Sequence, residues 1–170
     1  FGLNRPYITL QCGGGVWVEG KKDVRQWPVE NYEKLCALLK KKYPQYRIVQ
    51  LGGARQPAIR GVDDDLRGKT DFEELKILLQ TAEMHIQQDG GMVYLRHYLT
   101  DKPSCVLFGP NDAAFLGYDN NVNIRNSDCP ACSGLGAEWM KQCLRGGAEP
   151  LCMRAITPEI VMARIEDKLC

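Results

Sequence analysis

Short apolar segments alternate with longer segments of helical periodicity along most of this chain. The apolar segments are rich in β-branched and other bulky side chains, and several of them run directly into glycine turns. A continuous apolar run bounded by turn residues is typical of a strand that is buried on both faces. We predict five strands, over residues 7–12, 47–51, 84–88, 104–108 and 122–124.

The segments between these strands carry helix start signals as well as helical spacing. The first helix follows Pro28, which suits a first helical position because its missing N–H would have no partner there. The second follows a capping signature in which Thr70 or Asp71 is the N-cap, with a glutamate three residues later. Two more helices are predicted, over 92–99 and after Thr157.

Strands that alternate with helices indicate βαβ units. We therefore predict an α/β fold, a Rossmann-like three-layer α/β/α domain with a mostly parallel sheet, that covers residues 1–170. Ligands of such folds bind at the carboxyl ends of the strands. The glycines at 13–15, 52–53 and 90–91 follow predicted strands, so we expect a binding site at that edge of the sheet.

Composition narrows the classes of function. Lys and Arg number 22 against 21 Asp and Glu, so the basic excess that a nucleic-acid-binding surface requires is missing. No apolar run approaches the roughly 20 residues that span a bilayer, and we expect no transmembrane segment. The chain opens on Phe1 rather than Met, which is consistent with its being part of a longer polypeptide.

Two glycine turns suit a diphosphate. The Asp89-Gly90-Gly91 turn precedes a predicted helix, whose first N–H groups and positive dipole end attract anions, and residues 13–15 offer similar backbone access. Arg25 is the best cationic candidate near the latter, because a guanidinium binds phosphates in bidentate fashion. Glycines that merely make turns, and a solvated arginine, remain alternatives.

The order of several motifs is more specific than any single one of them. It resembles the C-terminal half of glycosyltransferase family 9, the family of ADP-heptose:lipopolysaccharide heptosyltransferases, from about residue 7 to 169. The motifs are Arg25-Gln26-Trp27-Pro28, Gly52-Gly53, Leu66-Arg67-Gly68-Lys69-Thr70, Asp89-Gly90-Gly91-Met92, Phe108-Gly109-Pro110-Asn111-Asp112, and Cys152-Met153 with Ile156-Thr157-Pro158-Glu159.

The resemblance implies the donor-binding half of a GT-B fold, which takes a nucleotide-diphosphate sugar for inverting glycosyl transfer. On the leaving-group side of the reaction it assigns catalytic roles to Arg25 and Asp89. With the turns above, the expected diphosphate-binding set is Gly13, Gly14, Gly15, Arg25, Asp89, Gly90 and Gly91. The ribose and the base are expected at Gly53, Gln56, Lys69 and Thr70.

Three positions depart from the family pattern. Tyr94 replaces a His, Gln56 stands near an expected carboxylate, and Arg25 replaces a Lys. ADP-heptose is therefore one candidate donor among nucleotide-diphosphate sugars, and no catalytic metal is expected.

The resemblance implies that the general base belongs to an N-terminal acceptor domain, which we expect to be absent from this chain. We therefore expect this chain to bind a nucleoside diphosphate weakly and to transfer no sugar by itself. The implied acceptor is lipopolysaccharide or another glycan, a lipid-linked acceptor or a protein. The implied location is the cytoplasm, including the inner face of the membrane.

Two other classes of protein share this kind of fold. A non-catalytic nucleotide-binding or interaction domain of the same fold remains an alternative, which Tyr94 and Gln56 permit. An NAD-dependent oxidoreductase is disfavoured, because the first strand lacks the G-x-G-x-x-G turn and the second strand lacks a terminal acidic residue.

Four of the eight cysteines are closely spaced near the C-terminus. Cys129, Cys132, Cys143 and Cys152 suit a tetrahedral thiolate site for structural zinc or iron, so we predict an inserted four-cysteine module over 129–152. Disulfides and unligated thiols remain alternatives. Some family members carry a similar element near this place, and the resemblance implies that it is structural.

Overall fold

A six-stranded parallel sheet forms the centre of the protein. The computed structural model describes residues 1–13, 23–146 and 150–169. The strands lie in the order β3-β2-β1-β4-β5-β6. They are β1 (Tyr7–Gln11), β2 (Arg47–Gln50), β3 (Asp64–Asp65), β4 (Met84–Gln88), β5 (Ser104–Phe108) and β6 (Val122–Arg125).

The five strands predicted from the apolar segments are confirmed, with ends that differ by one residue at most. The sixth, β3, was missed because it consists only of Asp64 and Asp65. It pairs with Val49 and Gln50 at the edge of the sheet, where no apolar face is needed. The parallel three-layer architecture is as predicted.

Six helices connect and cover the strands in the described part of the chain. They are α1 (Val29–Lys42), α2 (Phe72–Thr81), α3 (Gly91–Leu99), α4 (Ala113–Leu116), α5 (Leu151–Arg154) and α6 (Pro158–Ile165), and a 3₁₀ turn (Glu166–Lys168) follows α6. No helix in the described ranges is long and apolar enough to cross a bilayer.

Helix starts follow the expected chemistry in most cases. Asp71, rather than Thr70, is the N-cap of α2 and forms a reciprocal capping box with Glu74. The Thr157 side chain accepts from the Ile160 N–H at the start of α6. Pro28 is the N-cap of α1 rather than its first residue.

The sheet buries one apolar layer on each face. On one face, alternate residues such as Ile8 and Ile86 pack with α1 and α6. On the other face, Tyr7 and Val49 pack with α2, while α2 and α3 contact each other.

Trp27, just before α1, is fully buried in the first layer. Its indole Nε1 donates a hydrogen bond of 2.7 Å to the Ile156 carbonyl oxygen, ahead of α6. This bond and the packing of α6 on α1 join two parts of the domain that lie far apart in the sequence.

Candidate functional site

The order of strands reverses between β1 and β4. From β1 the chain proceeds to β2 and β3 on one side, and from β4 to β5 and β6 on the other. In open α/β sheets such a reversal marks a crevice at the carboxyl ends of the two strands, where ligands bind. Gly13 follows β1 at this crevice, and Asp89, Gly90 and Gly91 follow β4.

The Gly90–Gly91 turn starts α3 at this crevice. Gly90 is the N-cap residue of α3. Glycine has no side chain, so no side-chain oxygen accepts from the first N–H groups of the helix. Gly91 is exposed and has no atom within 4 Å of the space a side chain would fill. The first N–H groups of α3 are thus accessible at the positive end of the helix dipole, an arrangement that suits an anion.

The Asp89 carboxylate is buried beside this turn. Its Oδ1 accepts a hydrogen bond from the Tyr94 hydroxyl, and its Oδ2 accepts one from Asn111 Nδ2, in the turn after β5. Burial and the neighbouring carboxylate raise the pKa of Tyr94, so its hydroxyl remains a donor. Because both carboxylate oxygens are occupied, Asp89 is placed to fix the turn, while the backbone N–H groups face the crevice.

Arg25 lies near this anion. Its guanidinium donates from Nη2 to Asp23 Oδ2 at 2.8 Å and from Nε to Oδ1 at 3.1 Å. The hydrogen bond to Asp23 raises the pKa of Arg25, and the charge of Asp89 and the Tyr94 phenol raise it further. The charge of Asp89 thus acts on Arg25, and within the described ranges Asp23 accepts from two of the five guanidinium N–H groups.

Gln56 lies beneath two glycines on the other side of the crevice. Its side chain is 3.5 Å from the position of a Cβ on Gly13, and its Oε1 would overlap a Cβ on Gly52. Gln11 Nε2, at the end of β1, donates to the same Oε1 at 3.4 Å. The two buried amides close the floor of the crevice below the turns after β1 and β2.

The remaining predicted nucleotide-binding residues lie on the rim beyond β2. Gly53 and Lys69 are exposed, and Thr70 is half-buried. Lys69 Nζ donates to the Asp65 carbonyl oxygen at 2.7 Å. Gly14 and Gly15, which were predicted to bind the diphosphate, lie outside the described residues.

Arg67 supports this rim, although the sequence analysis assigned it no role within the Leu66–Thr70 motif. Its guanidinium forms a bidentate pair with Asp65, at 2.9 and 2.7 Å, and also donates to the Gln56 carbonyl oxygen. Arg67 therefore ties β3 to the loop that carries Gln56.

The four C-terminal cysteines surround one cavity of about 200 Å³. Cys129 and Cys152 are buried and belong to the main core, whereas Cys132 and Cys143 are partly exposed. Burial raises the pKa of Cys152 to about 11, and the other three thiols add to this effect. Residues 126–146 contain no helix or strand, so the segment is an irregular cover packed on the core.

This cavity adjoins the crevice. Val24, next to Arg25, lines it, as does Pro110, next to Asn111. The Pro110 carbonyl oxygen accepts from the N–H groups of Cys132 and Ser133, at 2.9 and 3.0 Å. In the described ranges no group of three or more His, Cys, Asp or Glu side chains is arranged to hold a metal ion. The four thiols surround a common space without converging on one point.

Comparison with known proteins gives this site a family context. The family model described as "Glycosyltransferase family 9 (heptosyltransferase)" matches residues 1–142. No curated protein matches the chain significantly.

Solved structures share the fold at low sequence identity. The ADP-heptose LPS heptosyltransferase II of E. coli has a TM-score of 0.69 at 19% identity, over 97% of this chain and 46% of its own. The dodecameric iron-containing heptosyltransferase TibC, in complex with ADP-D-β-D-heptose, has a TM-score of 0.76 at 20% identity, over 97% and 45%. A family 9 glycosyltransferase from Veillonella parvula has a TM-score of 0.67 at 18% identity, over 98% and 47%.

The chain spans less than half the length of each of these proteins. Because the family model covers most of the sequence, the assignment to a family does not depend on these structural likenesses alone. The chain belongs to glycosyltransferase family 9.

Proposed function

We propose that this chain binds the nucleotide-diphosphate sugar donor of a heptosyltransferase-like glycosyltransferase, in the crevice between β1 and β4. The observation that carries the proposal is the Gly90–Gly91 turn, which starts α3 at the point where the strand order reverses. Backbone N–H groups at a helix N-terminus form a site for the two phosphates. Because the chain belongs to glycosyltransferase family 9, we propose a glycosyl donor as the ligand.

The site acts on the leaving group of the reaction. As an acceptor hydroxyl oxygen attacks the anomeric carbon, the bond to the diphosphate oxygen breaks and that oxygen takes the electron pair. The first N–H groups of α3 and the Arg25 guanidinium stabilise the negative charge that develops there. Asp89, held by Tyr94 and Asn111, keeps the turn in its shape.

ADP-heptose is the first candidate donor, because TibC was solved with ADP-D-β-D-heptose. At Gln56 and Tyr94 this chain differs from the pattern that the family resemblance implies. These two side chains would therefore contact a donor differently. An amide at Gln56 offers both a donor and an acceptor to ribose hydroxyls, and it carries no charge.

The acceptor and the general base belong to the part of the enzyme that faces this crevice. We infer a glycan, a lipid-linked acceptor or a protein as the acceptor, and lipopolysaccharide is one such glycan. The reaction would take place in the cytoplasm or at the inner face of the membrane.

Isothermal titration with ADP, GDP, UDP and CDP tests the donor site. We expect one of the four to bind, and the Arg25→Ala variant to bind it about tenfold more weakly or worse, because a charge-assisted contact is lost. Arg60→Ala is the matched control, since Arg60 pairs with Glu33 on the surface and is 86% exposed. A wild-type protein that binds none of the four refutes the proposal.

We also propose that the four thiols hold a structural zinc or iron ion. Four thiolates suit these metals, since zinc and iron bind them in tetrahedral geometry. Cys129, Cys132, Cys143 and Cys152 all line one cavity. TibC is described as iron-containing. When bound, the metal would organise residues 126–146, which contain no helix or strand, and it would take no part in sugar transfer.

Elemental analysis of the purified protein tests this site. We expect about one metal ion per chain and a marked loss in the Cys132→Ser variant. Cys36→Ser is the control, because Cys36 lies on the buried face of α1, in the main core. A metal content near zero in freshly purified, reduced protein would contradict the proposal.

A further inference from the structure

The loop 109–112 joins the donor crevice to the cysteine segment, by which we mean residues 126–146. The loop follows β5, which pairs with β4 in the sheet, so it lies beside the turn that Asp89 begins. Asn111 in this loop is only 7% exposed, and its Nδ2 donates to Asp89 Oδ2. Through Asn111, the loop thus holds the carboxylate that supports the turn at the start of α3.

The first two residues of the same loop contact the C-terminal part of the chain. Gly109 lies close to α5, since a Cβ added there would be 2.7 Å from Met153 Sδ. The Pro110 carbonyl oxygen accepts from the N–H groups of Cys132 and Ser133, at 2.9 and 3.0 Å. Successive residues of one short loop therefore contact α5, the cysteine segment and the diphosphate turn.

A second anchor holds the cysteine segment at the end of the sheet. Arg125, the last residue of β6, donates from Nη2 to the Cys129 carbonyl oxygen at 2.6 Å. The cavity that the segment lines is also lined by Val24, which precedes Arg25. The loop that carries Asn111 and the residue before Arg25 therefore border the same cavity.

We infer that the cysteine segment positions Asn111, and so sets the affinity of the crevice for the donor diphosphate. The inference rests on the proposed function of the turn at the start of α3. A hydrogen bond weakens steeply when its geometry is disturbed, so a displaced loop would release one of the two donors that hold the Asp89 carboxylate. Cys132 and Ser133 contact the loop through backbone N–H groups, so the inference does not depend on what the thiols bind. Both are positioning residues, which act on the ligand only through Asn111.

Ser133 offers a substitution that breaks this contact and preserves the local turn. The Leu135 N–H donates to the Cys132 carbonyl oxygen at 3.2 Å, and Gly134 has φ +78°. No non-glycine residue in the described ranges has a positive φ, so this is a type II turn with Ser133 at its second position, which favours proline. In Ser133→Pro the ring replaces the N–H that faces Pro110, so the loop and the segment are forced apart.

Ala137→Pro is the matched control in the same segment. Ala137 is exposed and is the second residue of another turn, in which the Trp139 N–H donates to the Gly136 carbonyl oxygen at 3.2 Å. Within the ranges that the structure describes, the Ala137 N–H makes no hydrogen bond. Both variants thus place a proline at a turn position, but only Ser133→Pro removes a contact with the loop 109–112.

Titration calorimetry of the intact chain tests the inference, with the tightest-binding of ADP, GDP, UDP and CDP and with its parent nucleoside. Ser133→Pro is expected to weaken the diphosphate about fivefold and the nucleoside less than about twofold, because the lost contact supports the phosphate end of the site. Ala137→Pro is expected to change both by less than about twofold. Thermal unfolding confirms that each variant is folded.

A double-mutant cycle shows whether the segment acts through Asn111. Asn111→Ala removes the amide that donates to Asp89, and by itself it is expected to weaken the diphosphate about tenfold. In the Asn111→Ala background, Ser133→Pro should cost less than about a further twofold, since the two changes interrupt the same route. A further loss of about fivefold in that background would overturn the inference, because the segment would then act by another route.

Folded Ser133→Pro protein that binds the diphosphate as the wild type does would also overturn the inference. So would an equal loss in Ala137→Pro, or equal losses for the diphosphate and the nucleoside, because either indicates general disruption of the protein. Each of these results leaves the proposed function standing. A wild-type protein that binds none of the four nucleotides refutes the proposed function and, with it, this inference.

Discussion

The Tyr94 hydroxyl donates a hydrogen bond to Asp89 Oδ1, and so closes the first turn of α3 over the end of β4. Tyr94 stands where the family resemblance implies a histidine. A phenol with a raised pKa keeps its proton through the neutral range, whereas a histidine side chain titrates near neutrality. The tyrosine therefore makes the support of Asp89 independent of pH.

Tyr94→Phe should lower the free energy of unfolding by roughly 1.5–3 kcal/mol, because a buried carboxylate loses one of its two donors. Urea denaturation measures the change. Tyr98→Phe, which removes a hydroxyl from a side chain that is 80% exposed, should cost less than about 0.5 kcal/mol. Equal effects of the two substitutions would show that the bond to Asp89 contributes nothing.

His85 should make the protein less stable in mild acid. The pKa of this histidine is about 4 in the folded protein, against an ordinary 6.5, chiefly because of burial. The unfolded chain binds the extra proton first, so stability falls as the pH falls from 6.5 towards 4. The loss attributable to His85 is roughly 3 kcal/mol at pH 4.

Urea denaturation of wild type and His85→Gln between pH 7 and pH 4 isolates this contribution. Glutamine retains hydrogen-bonding groups but binds no proton, so the variant should lose about 3 kcal/mol less than the wild type over the range. Parallel stability curves for the two proteins would show that His85 keeps an ordinary pKa.

Substitution by alanine should destabilise the protein far more at Gly52 than at Gly53. Gly52 has φ +132°, and a Cβ there would overlap Gln56 Oε1. Gly53 has no positive φ and no neighbour within 4 Å of an added Cβ. We expect Gly52→Ala to cost roughly 1–3 kcal/mol and Gly53→Ala less than about 0.5 kcal/mol. Thermal unfolding of both variants checks the contrast.

Trp27→Phe should be among the more costly single substitutions in the core. It removes the 2.7 Å hydrogen bond to the Ile156 carbonyl oxygen and leaves a void beside Tyr32, on whose ring Trp27 packs edge-on at 4.7 Å. The two effects together should exceed about 2 kcal/mol. Phe115→Leu is the control, because Phe115 is 86% exposed and should tolerate the change.

Much of the fold follows from local patterns in the sequence. The apolar runs are bounded by turn residues, and three of the four predicted helices follow a proline or a capping side chain, so the parallel α/β architecture could be predicted. The strand Asp64–Asp65 could not, because its pairing depends on an edge position and carries no apolar signal. The same holds for α5, whose four residues show no periodicity.

The candidate site was predictable only where its chemistry is local. The Asp89-Gly90-Gly91 turn follows one strand and begins one helix, so the sequence alone places it. Asn111 reaches Asp89 from the turn after β5, and Gln56 approaches Gly52 and Gly13 from the loop after β2. Such roles depend on strand register, which the spacing of residues along the chain does not reveal.

The contact between Trp27 and Ile156 bears on how the protein is made. The family model ends at residue 142, yet α6 packs on α1 and supplies Val161 and Ile165 to the same core. During synthesis, β1 and α1 leave the ribosome before α6 has been translated. The apolar face of α1 that α6 covers is therefore exposed to solvent in that interval. The core that α1 and α6 share is therefore completed only after α6 has been translated.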